Sequence, residues 1–216
     1  MKFENAHEGV KKIYTAELLA ILASVCVVAV AISGVVALAA GGVQSAVAAG
    51  GAIIGAGIFG IAAGVLAIIS FILSLVGINR ASRDEDAFKK ALYAAVAGIV
   101  ISVIGTFTKD GSLLNGLFST LNGVCNLLVT FMVCQGVVNL AEKLENAAVS
   151  EKGRSVQKLL LTVWIIVIVV RLIVAVMGGA AAGIFAGILS IVAGVIAIAA
   201  YFLYLGLLGR AKKMLE

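Results

Sequence analysis

The sequence predicts an all-α integral membrane protein: six transmembrane helices arranged as three helical hairpins in a single polytopic domain over residues 1–216. Three observations carry that reading. Apolar residues make up 62% of the chain and charged residues only 12%, against about 25% charged in a soluble domain. The charges gather into four short clusters, separated by apolar runs long enough to span a bilayer. The chain has 25 glycines but no proline, which favours uninterrupted helices over the broken helices of transporter midplane sites.

Residues 1–15 read as a cytosolic lead-in. Asn5 and Glu8 have the spacing of a capping box, Glu8 and Lys12 that of an i,i+4 ion pair, and Phe3, Val10, Ile13 and Tyr14 give an apolar side. A short interfacial helix running into the first span is expected. Span 1 covers about 16–39; it is too long for a signal-peptide core and is expected to stay as an anchor. Gly41-Gly42 and Gly50-Gly51 bracket a small uncharged stretch, read as a turn, a short interfacial helix or a shallow re-entrant element. Span 2 covers about 52–78.

Ser82 and Glu85 form a second capping-box pattern, with Glu85–Lys89 and Asp86–Lys90 at i,i+4, so the third helix should start near Arg83 and span about 91–107. Thr108 to Gly111 reads as a tight turn with Asp110 or Ser112 capping span 4, about 113–140. Helical periodicity continues to Val149, and Gly153 marks the expected break before span 5, about 156–177. Gly178-Gly179 turns the chain into span 6, about 182–208.

Orientation follows from the basic residues. The clusters at 1–15, 79–90, 143–158 and 210–213 hold 14 of the 16 Lys and Arg; Lys109 lies in an opposite loop and Arg171 within span 5. The positive-inside rule places both termini in the cytosol, with a plasma (cytoplasmic) membrane address. The net charge of +5 is then an orientation and lipid-headgroup signal. No basic stripe interleaved with aromatics points to nucleic acid.

The returning spans share a motif. Gly57-Ile58-Phe59-Gly60 with Gly64-Val65, Gly116-Leu117-Phe118-Ser119 with Gly123-Val124, and Gly187-Ile188-Leu189-Ser190 with Gly194-Val195 keep one glycine spacing. An internal threefold pseudo-repeat is one origin; chance in a glycine-rich chain is the other. Glycines seven apart share a helix face, so Gly57, Gly64, Gly116, Gly123, Gly187 and Gly194 are the candidate positions for close helix packing.

Span 4 departs from that pattern. Asn115, Ser119, Asn122, Asn126 and Thr130 fall within a sector roughly 80° wide on a helix, and with Cys134 the row rises about 28 Å. The positions matching Asn122 and Asn126 are Ala63 and Ala67 in span 2, and Ala193 and Ala197 in span 6. Amides and hydroxyls without net charge suit the lining of a path for a neutral solute, water or a stripped ion. They equally suit interhelical hydrogen bonding. Arg171, about 10 Å from the turn at Gly178, is the one charge well inside a span. It snorkels to headgroups, pairs with Asp110, or contacts an anion. Trp164, seven residues earlier on the same face, reads as lipid-facing or core packing.

Little supports catalysis. The spans contain no histidine and no acidic pair, and no phosphate loop or nucleophile–base set is present. Ser70, Ser74 and Ser102 are expected to bond their own i−4 carbonyls. Glu17 reads as a solvated helix start, with a proton or cation site as the sharper reading. His7 alone makes no metal site. Cys26, Cys125 and Cys134 lie inside apolar runs and read as small buried hydrophobes. No cofactor or metal is expected, and the chain is read as a non-enzyme. The functions left are a small-solute transporter or channel subunit lined by span 4, or a structural or regulatory membrane protein packing through its glycine faces. Its partners would be membrane lipid, a second copy, or another membrane or cytosolic subunit.

Overall fold

A computed structural model describes residues 3–41, 46–108, 113–177 and 179–216, with side chains over 3–32, 57–108, 114, 117–166 and 195–216. The helices are α1 (Glu4–Gly41), α2 (Ala46–Ala81), α3 (Asp86–Thr106), α4 (Leu113–Lys143), α5 (Ala147–Met177) and α6 (Gly179–Leu215). Among the described residues, five stretches are long and apolar enough to cross a membrane: Glu4–Ile32, Gly57–Ala81, Asp86–Thr106, Leu117–Lys143 and Val195–Leu215. Helix is the state such runs must take in lipid, where every backbone polar group needs an internal partner. The C-terminal part of α5, with Arg171, lies outside the described side chains.

The chain forms two compact units, one of Met1–Val10 with Ile78–Glu216 and one of Lys11–Gly77. In the first, α4 packs along α3 on one side and α5 on the other, and α5 pairs with α6. Its core gathers at the end that carries the charges. Phe88, Val133, Val137, Val138, Leu140, Val156, Leu207 and Leu208 are fully buried there. Towards the other end Val96, Val100, Val103, Leu117, Leu121, Ile165, Val195 and Ile198 are exposed, as a lipid-facing surface requires. In the second unit Ala16, Ala23 and Ala63 are buried. There the Ser70 hydroxyl donates 2.7 Å to the carbonyl of Ala16 on the other helix, and not to its own i−4 carbonyl.

Several expected boundaries move, each for a local reason. The N-terminal capping box does not form, because Asn5 already lies in the first turn of α1. Its amide donates to Asp84 (3.1 Å), and the other Asp84 oxygen accepts the backbone N–H of Ala6 (2.7 Å). A carboxylate 78 residues away thus caps the helix start, where orphan N–H groups and the helix dipole both favour an anion. Glu8 pairs with Arg80 at 2.5 Å rather than with Lys12. Gly50-Gly51 is no turn but part of α2, which is already helical at Ala46; residues 42–45 lie outside the described set.

The second capping box is also absent. Helix α3 starts at Asp86 with Glu85 as N-cap, whose side chain makes no capping bond. Ser82 instead donates to the carbonyl of Asn79, and Glu85 pairs with Lys143 rather than Lys89. The turn after α3 closes through Phe107 and Thr108 N–H groups on Ile104 and Gly105 carbonyls. The proposed caps Asp110 and Ser112 lie outside the described residues, as does Gly178.

The break between α4 and α5 falls at residues 144–146, not at Gly153. Asn146 N–H donates to Ala141 O (2.8 Å) and Glu145 N–H to Glu142 O (3.0 Å), a Schellman closure. Glu145 occupies the left-handed position with φ 55°. Asn146 then caps α5 by accepting the N–H of Val149 at 3.2 Å. Gly153 lies inside α5, where a Cβ would collide with Val138 and touch Leu207 at 3.7 Å, so the position needs glycine for close packing rather than for a break.

Candidate functional site

The polar row of α4 divides into parts with different surroundings. Asn115 lies outside the described side chains, as do Gly116, Gly187, Gly194 and Arg171. Ser119 and Asn122 line a recess of about 340 Å³ against α3, together with Ser102, Thr106 and Thr108. Asn126 is exposed on the flank, and Thr130 donates back to its carbonyl at 3.2 Å.

The recess has a physical floor. Gly98 of α3 faces α4 so closely that a Cβ there would stand 3.2 Å from Cys125 Cβ and 3.4 Å from Asn122 Oδ1. The amide oxygen of Asn122 therefore rests over a residue that has no side chain. Gly98 is eight residues from the end of α3, so the floor lies about 12 Å below that end. Thr106 and Thr108 donate to the carbonyls of Val103 and Gly105, both at 2.6 Å. Among the described residues none hydrogen-bonds the side chains of Ser102, Ser119 or Asn122. Two hydroxyls and an amide thus face the recess with donors and acceptors to spare, where hydrocarbon could not satisfy them.

A second polar cluster sits at the charged end and was not anticipated. Glu85 is 8% exposed, and its carboxylate accepts from Lys143 Nζ (2.6 Å) and Asn139 Nδ2 (2.7 Å). Asn139 Oδ1 accepts from Gln135 (2.7 Å), and Gln135 Oε1 accepts from Gln157 of α5 (2.9 Å). Gln157 also reaches the Phe131 carbonyl at 3.4 Å. The carboxylate only accepts, so it fixes every amide in the line: each NH₂ points towards Glu85. Lys143 additionally lies 5.9 Å from the Phe3 ring centroid. Burial pushes the Glu85 carboxyl up. Hydrogen bonds from Lys143 and Asn139, the Lys143 charge and the nearby Ala87 N–H outweigh burial and hold it below its usual 4.5.

The signal for this cluster was present as Gln135 and Asn139 one helical turn apart, on the face opposite the centre of the Asn115–Thr130 row. Beside it, Glu142 accepts from Arg154 (2.6 Å) and Ser150 (3.2 Å), tying α4 to α5.

The glycines divide similarly. A Cβ at Gly57 or Gly64 would meet nothing within 4 Å, and one at Gly123 would lie 3.7 Å from the Trp164 ring. Trp164 of α5, half-buried, therefore packs on α4 at Gly123. The tight approaches are at Gly98, Gly153 and Gly136, where a Cβ would stand 2.5 Å from the Phe88 ring. His7 is half-buried, and its Nδ1 has no hydrogen-bond partner among the described residues. No group of three His, Cys, Asp or Glu suited to a metal occurs among the described residues. Cys134 is buried, while Cys26 and Cys125 are half-buried free thiols.

Comparison with known proteins gives no match: no family model fits the chain, and no curated protein or solved structure is significantly similar to it.

Proposed function

We propose that this chain is a six-span transport protein or channel subunit that takes a small neutral polar solute into the α3–α4 recess. Both termini would lie in the cytosol of a plasma-membrane protein, and its role would not be enzymatic. The observation that supports this reading is the cluster of Ser102, Ser119 and Asn122 side chains facing the recess without hydrogen bonds from described residues. The same kinds of group at the charged end are joined to one another in full. Adhesion between helices uses up its donors and acceptors, whereas a binding surface leaves some for a ligand. Because Gly98 and Cys125 close the recess below Asn122, passage would need a second conformation or a second copy.

The competing reading is a structural or regulatory protein whose polar groups hold helices together. The line from Gln157 to Glu85 favours it, since it joins α5, α4 and the start of α3. The threefold repeat remains part of the same proposal and gains no support from Gly57 and Gly64, whose faces stand open.

Single cysteines at positions 119 and 122, in a background lacking Cys26, Cys125 and Cys134, test the first reading. Both should react with a small aqueous thiol reagent applied from the non-cytosolic side. Inertness at both positions would sink the recess as a solute site. Asn122→Leu should abolish protection by solute of a cysteine placed at position 119, while leaving the melting temperature within a few degrees; under the competing reading it loosens the α3–α4 pair instead.

A further inference from the structure

Helix α5 meets α6 around Gly206. A Cβ added at Gly206 would stand 3.5 Å from Lys152 Nζ, and one on the neighbouring Gly153 would lie 3.7 Å from the Leu207 side chain. The half-buried Lys152 side chain therefore lies across α6 and sets its ammonium against an exposed glycine. Among the described residues that ammonium has no ion pair and no hydrogen bond. Arg210 and Lys213, both exposed, are unpaired in the same sense, while Lys212 turns to Glu216 at 4.0 Å. At about 100° per residue, Val195, Ala199, Phe202, Gly206, Arg210 and Lys213 fall within a sector of α6 roughly 80° wide. All six are exposed. The strip is apolar from Val195 to Gly206, about 16 Å at 1.5 Å per residue, and cationic beyond.

We propose that this strip seats one anionic phospholipid, its phosphate among Lys152, Arg210 and Lys213 and an acyl chain along Val195, Ala199 and Phe202. Two features select this occupant. Three cations without a counter-charge, at the end of a span where long basic side chains reach headgroup depth, call for an anion. Glu151, the carboxylate beside Lys152, points about 100° away around α5 and does not supply it. The apolar half of the same strip calls for hydrocarbon, which a water-soluble phosphate would not provide. A zwitterionic lipid would bring its own cation against the three basic groups. Glycine at 206 leaves the space beside the Lys152 ammonium open to a phosphate oxygen. This site lies on α5 and α6 and does not depend on the α3–α4 recess.

The probe is dioleoylphosphatidylglycerol, titrated into the full chain in neutral detergent and read by native mass spectrometry. The wild type should retain one such lipid at least tenfold more tightly than dioleoylphosphatidylcholine. Lys152→Gln and Arg210→Gln should each weaken it about fivefold, as expected for one basic group at a headgroup, and Lys152→Arg should keep it. Gly206→Leu, which fills the space beside the ammonium from an exposed position, should weaken it with all three cations intact. Lys89→Gln removes an exposed lysine of α3 and should leave binding unchanged. Glycerol phosphate, the headgroup without hydrocarbon, should not displace the lipid. Equal retention of phosphatidylcholine overturns the proposal, as does displacement by glycerol phosphate. So does a loss with Lys89→Gln as large as with Lys152→Gln, which would mean diffuse attraction, or affinity that survives both Lys152→Gln and Gly206→Leu.

Discussion

Two residues show how single positions control this fold. Gly136 lies under the Phe88 ring, with ring carbons 2.5, 2.7 and 2.8 Å from where a Cβ would be. Phe88 is fully buried and has no room to retreat. Gly136→Ala should therefore destabilise by about 1–3 kcal/mol, the usual cost of overpacking, despite its better helix propensity. Phe88→Leu in the same chain should recover part of the loss. A double-mutant cycle on melting temperature in detergent measures that coupling, and simple additivity would refute the contact. Glu145 is the opposite case. It holds a left-handed φ of 55° at the end of α4, a conformation that costs an L-residue roughly 1–2 kcal/mol. Glu145→Gly should raise stability by about 1 kcal/mol. A lower melting temperature would mean that the Glu145 side chain contributes more than its backbone strain costs.

At the scale of the element, α4 carries two polar rows on opposite faces, and they behave differently. The row of Gln135 and Asn139 ends on Glu85, whose folded pKa lies below its ordinary value. A lowered folded pKa means that the unfolded chain binds the proton more readily. The stabilisation from Glu85 is therefore complete above about pH 4.5, its ordinary value, and lost as the pH falls through the lowered folded pKa. Melting curves should show wild type losing stability below about pH 4.5 more steeply than Glu85→Gln; parallel curves would refute the assignment. Asn139→Leu removes a bond to the carboxylate and strands the Gln135 amide, so it should cost about 2 kcal/mol.

The six helices, and the five apolar stretches of membrane-spanning length among the described residues, were legible in the sequence, because lipid leaves an apolar run of that length no other backbone state. The helix ends were not, because their partners are distant in sequence. Asp84 caps α1, and Lys143 with Asn139 draws Glu85 away from a local capping box. Gly153 resembled a breaker but is there to let Val138 approach. The row through Asn122 was legible as a face; its division by Gly98 was not, since that depends on which α3 residue lies opposite.

On the larger scale, charge and packing coincide within the unit of residues 1–10 and 78–216. Its fully buried large side chains and the ion pairs Glu8–Arg80, Glu85–Lys143 and Glu142–Arg154 lie at the end rich in Lys and Arg. If that end is cytosolic, the same residues orient the chain and knit it together. Two basic residues lie outside these clusters, Lys109 and Arg171. Orientation depends on the difference in Lys and Arg between the two sides, summed over short flanking segments. Removing Arg171 leaves that difference unchanged in sign and nearly unchanged in size, so Arg171→Gln should keep both termini cytosolic. Reporter fusions at residue 216 and reagent access to a cysteine at residue 2 would read the two ends independently. A flipped terminus would show that one intramembrane charge outweighs 14 clustered ones, and would remove the basis for assigning the recess to the non-cytosolic side.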